Sequence, residues 1–220
     1  MSQASGRATS NTFVVFMLVL WFLLVAGGSV LGVFQGNPSR PPLTLGTAVI
    51  LPVIVFVSAW SGSARFQRFI LSLDIRATAF AQIGRIFGGV FLILYAQGVL
   101  PGIFALPAGL GDVAIGLTAP FIAWMLVSRT RVRLVMLALW NVLGLLDLIL
   151  AVSLGILTSQ STLGILAGAT TSAAVVTFPL SLIPTFLVPF YLMLHLIALD
   201  QVRRHWAQQR QHALMSEGAA

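Results

Sequence analysis

Residues 134–157 read LVMLALWNVLGLLDLILAVSLGIL, and they contain a single charged side chain, that of Asp147. As an α-helix this stretch would be about 36 Å long, which exceeds the hydrocarbon thickness of a bilayer, about 30 Å. An apolar run of this length is typical of a helix that crosses a membrane.

Five further segments have a similar character, so the sequence predicts six spans. They lie at about 12–34, 45–60, 77–100, 109–127, 134–157 and 178–199. We therefore predict an all-α fold, a polytopic transmembrane helix bundle in which residues 1–220 form one integral membrane domain. Residues 200–220 would form a cytoplasmic tail.

The composition supports the same class. Hydrophobic residues make up 58 % of the chain and charged residues 8 %, whereas soluble domains carry about 25 % charged residues. A single soluble core of this size buries only about 70 % of the unfolded surface. The lipid bilayer is thus the predicted partner that covers the remainder, and a homo-oligomer or a larger membrane complex is left open.

The arginines predict the orientation. With the N-terminus in the cytoplasm, ten arginines lie on the cytoplasmic side, Arg40 lies outside and Arg85 lies within a span. The ten are Arg7, Arg65, Arg68, Arg76, Arg129, Arg131, Arg133, Arg203, Arg204 and Arg210. This positive-inside bias predicts that both ends are cytoplasmic, in a bacterial cytoplasmic (inner) membrane.

The first span has an alternative interpretation as a cleaved signal peptide. Arg7 would belong to its n-region and Phe13–Val25 to its h-region. The apolar run continues to Phe34, however, which is longer than the usual h-region of about 7–15 residues. A retained span is therefore favoured.

Residue types that are absent exclude several functions. The chain has no cysteine and no lysine, which excludes disulfides, Cys-ligated clusters, Schiff bases and a lysine-ending phosphate loop. The net charge of +7 is explained by topology, so we predict no nucleic-acid partner. A haem held by two histidines would need a second one facing His195, so no cofactor and no metal site are predicted.

Two connections and the prolines add local detail. Phe66, Phe69, Ile70 and Leu73 follow helical spacing within 63–76, which predicts either a short amphipathic interfacial helix or an extension of the third span. The uncharged loop 158–177 could fold back toward the bilayer as an outer lid. Prolines that recur every five residues, at Pro179, Pro184 and Pro189, predict an irregular start to the sixth span.

Polar side chains inside the spans are the candidate site. They are Arg85, Asp112, Asn141, Asp147 and His195, with Gln82 and Gln97 as uncharged companions. Ionisable groups at membrane depth are costly and therefore face the bundle interior. Helix rise places Arg85, Asn141 and His195 about 12–13 Å above the nearest cytoplasmic arginine, and Asp147 and Asp112 at about 21 and 25 Å.

The two carboxylates have similar surroundings, Gly109-Leu110-Gly111-Asp112 and Gly144-Leu145-Leu146-Asp147. Facing each other, they could share a proton or hold a cation. The alternatives are structural. Asp112 could be a helix N-cap, Asp147 could pair with Arg85, and His195 could hydrogen-bond to Asn141.

Three functions follow from this pattern. The favoured prediction is a small carrier or proton/cation-linked transport protein with a polar site between spans 3 and 6. The first alternative is a structural or accessory subunit of a membrane complex. A less favoured alternative is an intramembrane lipid-acting enzyme, because the chain offers few groups for nucleophilic or metal-assisted hydrolysis.

Overall fold

The computed structural model describes residues 2–128 and 130–217, and their side chains except those of 2–11, 13, 212, 213, 216 and 217. Four parts of the sequence predictions lie outside these described residues. They are the side chains of Arg7 and Phe13, the whole of Arg129, and residues 218–220 of the tail.

The predicted all-α fold class is confirmed. Helix accounts for 78 % of the protein, and the described residues contain no strand. The helices are α1 (Ser2–Val30), α2 (Leu43–Gly62), α3 (Ala64–Leu71), α4 (Ile75–Ala96), α5 (Gly102–Met125), α6 (Arg131–Leu157) and α7 (Val188–Glu217).

Within the described residues, five helices are long and apolar enough to cross a membrane. They are α2, α4, α5, α6 and α7 together with the turn before it. The first predicted span corresponds instead to a shorter apolar helix, Val14–Val30. Six spans, and the position of both ends on one side of a membrane, therefore stay predictions.

Side-chain caps and glycines set several helix ends. Ser63, Asp74 and Thr130 accept hydrogen bonds from backbone N–H groups at the starts of α3, α4 and α6. After α4, Gly98 adopts a φ of +73°, a left-handed conformation that glycine tolerates without strain. This glycine turns the chain toward α5.

The segment 63–76 forms a separate short helix and not an extension of the third span. The helix α3 ends at Leu71, and α4 begins at Ile75 behind its Asp74 cap. The apolar side of α3 packs on protein, since its Ile70 is buried in a cluster with Phe56 of α2 and Ile197 of α7. The helix α3 therefore covers one end of the bundle.

Four helices build the centre of the molecule. The helix α5 packs against α4 and α6, and α7 closes the ring by packing against α6 and α4. One apolar core lies at the end of the bundle where α4 and α6 begin, near Arg76 and Arg133. It includes Ala79, Ala119, Leu137 and Val202. The candidate site lies deeper in this four-helix arrangement.

The opposite end of the bundle is less regular. The chain before α7 forms a π-helical turn, Ile183–Leu187, in the segment where the prolines predict irregularity. In the loop 158–177, Leu163 and Ile165 are exposed, whereas Val175 is buried against Phe104 of α5. The second half of this loop thus packs on the bundle, and its role as an outer lid stays a prediction.

Candidate functional site

The middle of α4 departs from α-helical geometry at the site. Residues Gln82–Gly89 form a 3₁₀ helix, in which side chains three residues apart lie in line. The three buried residues of this segment are Gln82, Arg85 and Gly88, which follow that spacing. The 3₁₀ segment therefore directs Arg85 into the bundle.

Glycines of α5 allow this segment to approach closely. A side chain at Gly116 would meet the backbone nitrogen of Ile86 at 2.7 Å, and one at Gly109 would meet Leu92 Cγ at the same distance. Asp112 lies between these two glycines and packs on Gly88 of α4. Small residues at helix contacts in membranes bring backbones together in this way.

Arg85 is the centre of the site, and its side chain is 0 % exposed. Its Nε donates to Asp112 Oδ1 at 2.7 Å, and its Nη2 pairs with Asp147 Oδ2. Its Nη1 donates to the carbonyl oxygen of Gly144 at 3.2 Å and lies 3.1 Å from His195 Nε2. Each nitrogen of this one guanidinium therefore has a partner.

His195 extends the network into α6. Its Nδ1 lies 2.7 Å from Asn141 Oδ1, and Asn141 Nδ2 donates to the carbonyl oxygen of Leu137 at 2.8 Å. Because Asn141 uses its amide nitrogen there, its oxygen must accept from His195 Nδ1–H. The other ring nitrogen, Nε2, then accepts from Arg85, which fixes one neutral tautomer of the imidazole.

The charges of this site do not balance. We call Arg85, Asp112 and Asp147 the buried ion cluster. It holds two carboxylates against one guanidinium, and the neutral His195 adds no charge. Among the described residues, the remaining titratable group that faces it is Tyr191 of α7, which shares a small cavity with Arg85 and Asp112. With both carboxylates ionised, the cluster has one excess negative charge.

An apolar cleft of about 110 Å³ reaches this cluster from the less regular end of the bundle. It is lined by α2, α6, the π-helical turn and the loop 158–177, with Asp112 as its charged residue. Asp112 also lines the small cavity beside Arg85. The cleft therefore leads from the loops to the buried ion cluster.

The structure brings the predicted site residues together. Arg85, Asp112, Asn141, Asp147 and His195 form one connected network across α4, α5, α6 and α7. The suggested pairing of Asp147 with Arg85 is present, and so is the contact between His195 and Asn141. Gln82 is buried with its Oε1 unpaired, whereas Gln97 is exposed at the end of α4.

Two details differ from the sequence interpretation. Asp112 is not an N-cap, because α5 begins seven residues before the predicted start of the span and places Asp112 in the helix interior. The depth estimates separate the two carboxylates from Arg85 along the helices, whereas the long side chain of Arg85 contacts both. No group of three or more His, Asp or Glu side chains in the described part of the chain is arranged to hold a metal.

Sequence reasoning missed the precise role of several glycines and of Tyr191. A side chain at Gly111 would overlap the carboxylate of Asp147, and one at Gly144 would overlap the ring of His195. A side chain at Gly84 would overlap the hydroxyl of Tyr191. The glycines next to each aspartate in the sequence were the available signal, although spacing alone does not say which side chain each one admits.

The comparisons with known proteins identify a family. No curated protein and no solved structure matches the chain. Residues 42–203 match the model of a family described as a domain of unknown function (DUF8737). The matched region begins at the start of α2, so it omits α1 and includes every residue of the site. Because the match covers more than half of the chain, the protein belongs to the DUF8737 family.

Proposed function

We propose that this protein is a small carrier in which solute movement is linked to the binding of a proton or another cation at the buried ion cluster. The observation that carries the proposal is the charge imbalance of Arg85 against Asp112 and Asp147. An uncompensated carboxylate at membrane depth is costly. A bound proton or cation removes that cost, and its release restores it.

The helices around the cluster support a change of conformation. The 3₁₀ segment lies in the middle of α4, a π-helical turn precedes α7, and Pro107 and Pro120 lie inside α5. Such departures from regular geometry mark places where membrane helices bend. Neutralisation of a carboxylate in the buried ion cluster would change the contacts of Arg85, whose partners lie on α5, α6 and α7.

The first test asks whether the cluster holds a proton. Infrared difference spectra of the full chain in lipid vesicles, recorded across a pH series, report the carbonyl stretch of a protonated carboxylic acid. We expect this band in the wild type at a pH at which aspartates in water are ionised. Asp112→Asn and Asp147→Asn should each abolish it, because the remaining carboxylate then balances Arg85 alone.

Asp200→Asn is the matched control, since Asp200 also pairs with arginine but near the end of the apolar part of α7. This variant should keep the band. Absence of the band in the wild type, or its persistence in both cluster variants, would contradict the proposed proton site.

The second test addresses transport itself. Vesicles that contain the protein and an internal pH-sensitive dye are exposed to a panel of organic solutes. A linked carrier should change the internal pH with a subset of solutes, and the Asp147→Asn protein should not. An identical response from the variant would exclude the mechanism.

A structural or accessory subunit is the second candidate. All three guanidinium nitrogens of Arg85 have partners within the protein. This favours a structural role, because buried ion pairs also hold helices together. This role predicts stoichiometric co-purification with a membrane complex. The complex would keep full activity when it carries the Asp112→Asn/Asp147→Asn double variant.

A further inference from the structure

The chemistry of the apolar cleft defines what could occupy it. Its walls include Val49 of α2, Leu148 and Val152 of α6, and Val188 of α7. Its volume of about 110 Å³ compares with the roughly 150 Å³ of an engineered protein cavity that admits benzene. The cleft is therefore suited to one ring or a short branched hydrocarbon group.

The charged residue of the cleft is acidic. Asp112 lines it, and one of its oxygens, Oδ1, accepts from Arg85. The other oxygen, Oδ2, lies over Gly88 and makes no hydrogen bond within the described part of the chain. A carboxylate oxygen without a donor, in a cluster with excess negative charge, is complementary to a cation.

Aromatic rings line the same space. Phe34, Phe91 and Phe104 border the cleft, and the rings of Phe91 and Phe104 contact each other with centroids 5.2 Å apart. The faces of aromatic rings attract organic cations, and quaternary ammonium groups are recognised in this manner. The walls thus add a second preference for positive charge to that of Asp112.

We infer that the apolar cleft binds a small hydrophobic organic cation, a quaternary or protonated amine, with its charged group at Asp112 and its hydrocarbon part between α2 and α6. This inference rests on the proposed carrier function, for which it names the class of substrate. A proton and the organic cation would then neutralise the same excess charge in turn, which is the requirement for exchange of one against the other.

The test uses benzyltrimethylammonium as the probe. Binding of the radiolabelled cation to the full chain in lipid nanodiscs is measured by equilibrium dialysis, with protein-free nanodiscs as the blank. Neopentylbenzene is the matched neutral competitor, because a carbon atom replaces the charged nitrogen and the shape is kept. We expect saturable binding of the cation, and competition by neopentylbenzene only at concentrations at least about tenfold higher.

Two variants locate the site. Asp112→Asn should weaken binding at least about tenfold, the loss that follows removal of one partner of a desolvated charge pair. Val152→Phe should also abolish binding by filling the cleft, and it leaves every charge in place. Leu150→Phe is its control, since Leu150 lies on the same helix but is 46 % exposed.

The outcomes separate this inference from the proposed function. Binding no greater than that of the blank, equal potency of neopentylbenzene, or unchanged binding by Val152→Phe would each overturn the cation site. The infrared band could persist in that case, and the proton site would stand. Conversely, saturable binding that Asp112→Asn and Val152→Phe both weaken would support the cleft even if no band were found.

Discussion

Two ion clusters in this protein have opposite compositions. In the buried ion cluster, Arg85 lies between Asp112 and Asp147, with its Nε 2.7 Å from Asp112. In α7, where its apolar part ends, Asp200 lies between two arginines, with its carboxylate oxygens 2.5 Å from Arg203 Nη2 and 2.7 Å from Arg204 Nε. Each cluster therefore has one unpaired charge, of opposite sign.

The solvent exposure of each cluster decides whether its unpaired charge is compensated. The side chains of Arg203 and Arg204 are 75 % and 38 % exposed, so water and counter-ions compensate their excess positive charge. Arg85 is 0 % exposed and its partners are nearly buried. Solvent therefore compensates the imbalance around Asp200, whereas the imbalance inside the bundle is costly unless a proton or cation binds there, as we propose.

The largest effect is expected from Arg85→Leu. The substitution leaves two carboxylates buried without their cation, which costs about 3–5 kcal/mol when one partner of a buried pair is removed. We expect a large loss of properly folded protein, measured as the yield of a single species in detergent and as its thermal unfolding temperature.

A triple variant tests whether charge is the reason. Arg85→Leu combined with Asp112→Asn and Asp147→Asn removes every charge of the cluster, and replacement of a whole buried ion group is often tolerated. We expect it to recover most of the unfolding temperature. Equal loss in the single and triple variants would show that packing, not charge, dominates at this position.

A smaller effect is expected at the glycine that admits Asp112. Gly88→Ala places a methyl group where the Asp112 carboxylate lies, so α4 and α5 must separate or Asp112 must move. Overpacking of this kind costs about 1–3 kcal/mol. Gly27→Ala in α1 is the matched control, because a side chain there meets nothing within 4 Å. Thermal unfolding in detergent compares the two, and equal stability would contradict the close approach.

The smallest effect is expected at Asp200, which is buried but pairs with two arginines that reach solvent. Asp200→Asn removes both ion pairs of α7, and pairs whose arginines are screened by solvent are worth about 0–1 kcal/mol. The unfolding temperature should change little and should depend weakly on salt. A loss as large as that of Arg85→Leu would show that Asp200 is more than a local helix pair.

The two clusters also differ in what sequence reasoning could find. Asp200, Arg203 and Arg204 are three and four residues apart on one helix, so their contact follows from helical spacing. Arg85, Asp112 and Asp147 were candidates because placing an ionisable side chain in a membrane costs free energy. Their arrangement, however, could not be derived from spacing along one helix. They come from three helices, and helix rotation is set by packing rather than by composition.

The position of Asp112 shows where local signals fail. A start at Gly109 made an N-cap reasonable, whereas α5 begins at Gly102 and includes Pro107 within the helix. An aspartate is tolerated inside the helix because α4 packs on Gly109 and Gly116 and thereby brings Arg85 to Asp112. A boundary error of a few residues thus changed the inferred role of one carboxylate.

The sequence alone determined that this chain is an all-helical bundle of apolar segments and which few polar residues lie within them. Length, hydropathy and the cost of buried charge are properties of local sequence, so they can be read without a fold. Only the tertiary structure decided that one guanidinium serves both carboxylates and that an apolar cleft ends on one of them. Those facts depend on a 3₁₀ segment and on glycine contacts between separate helices, which arise when the helices pack.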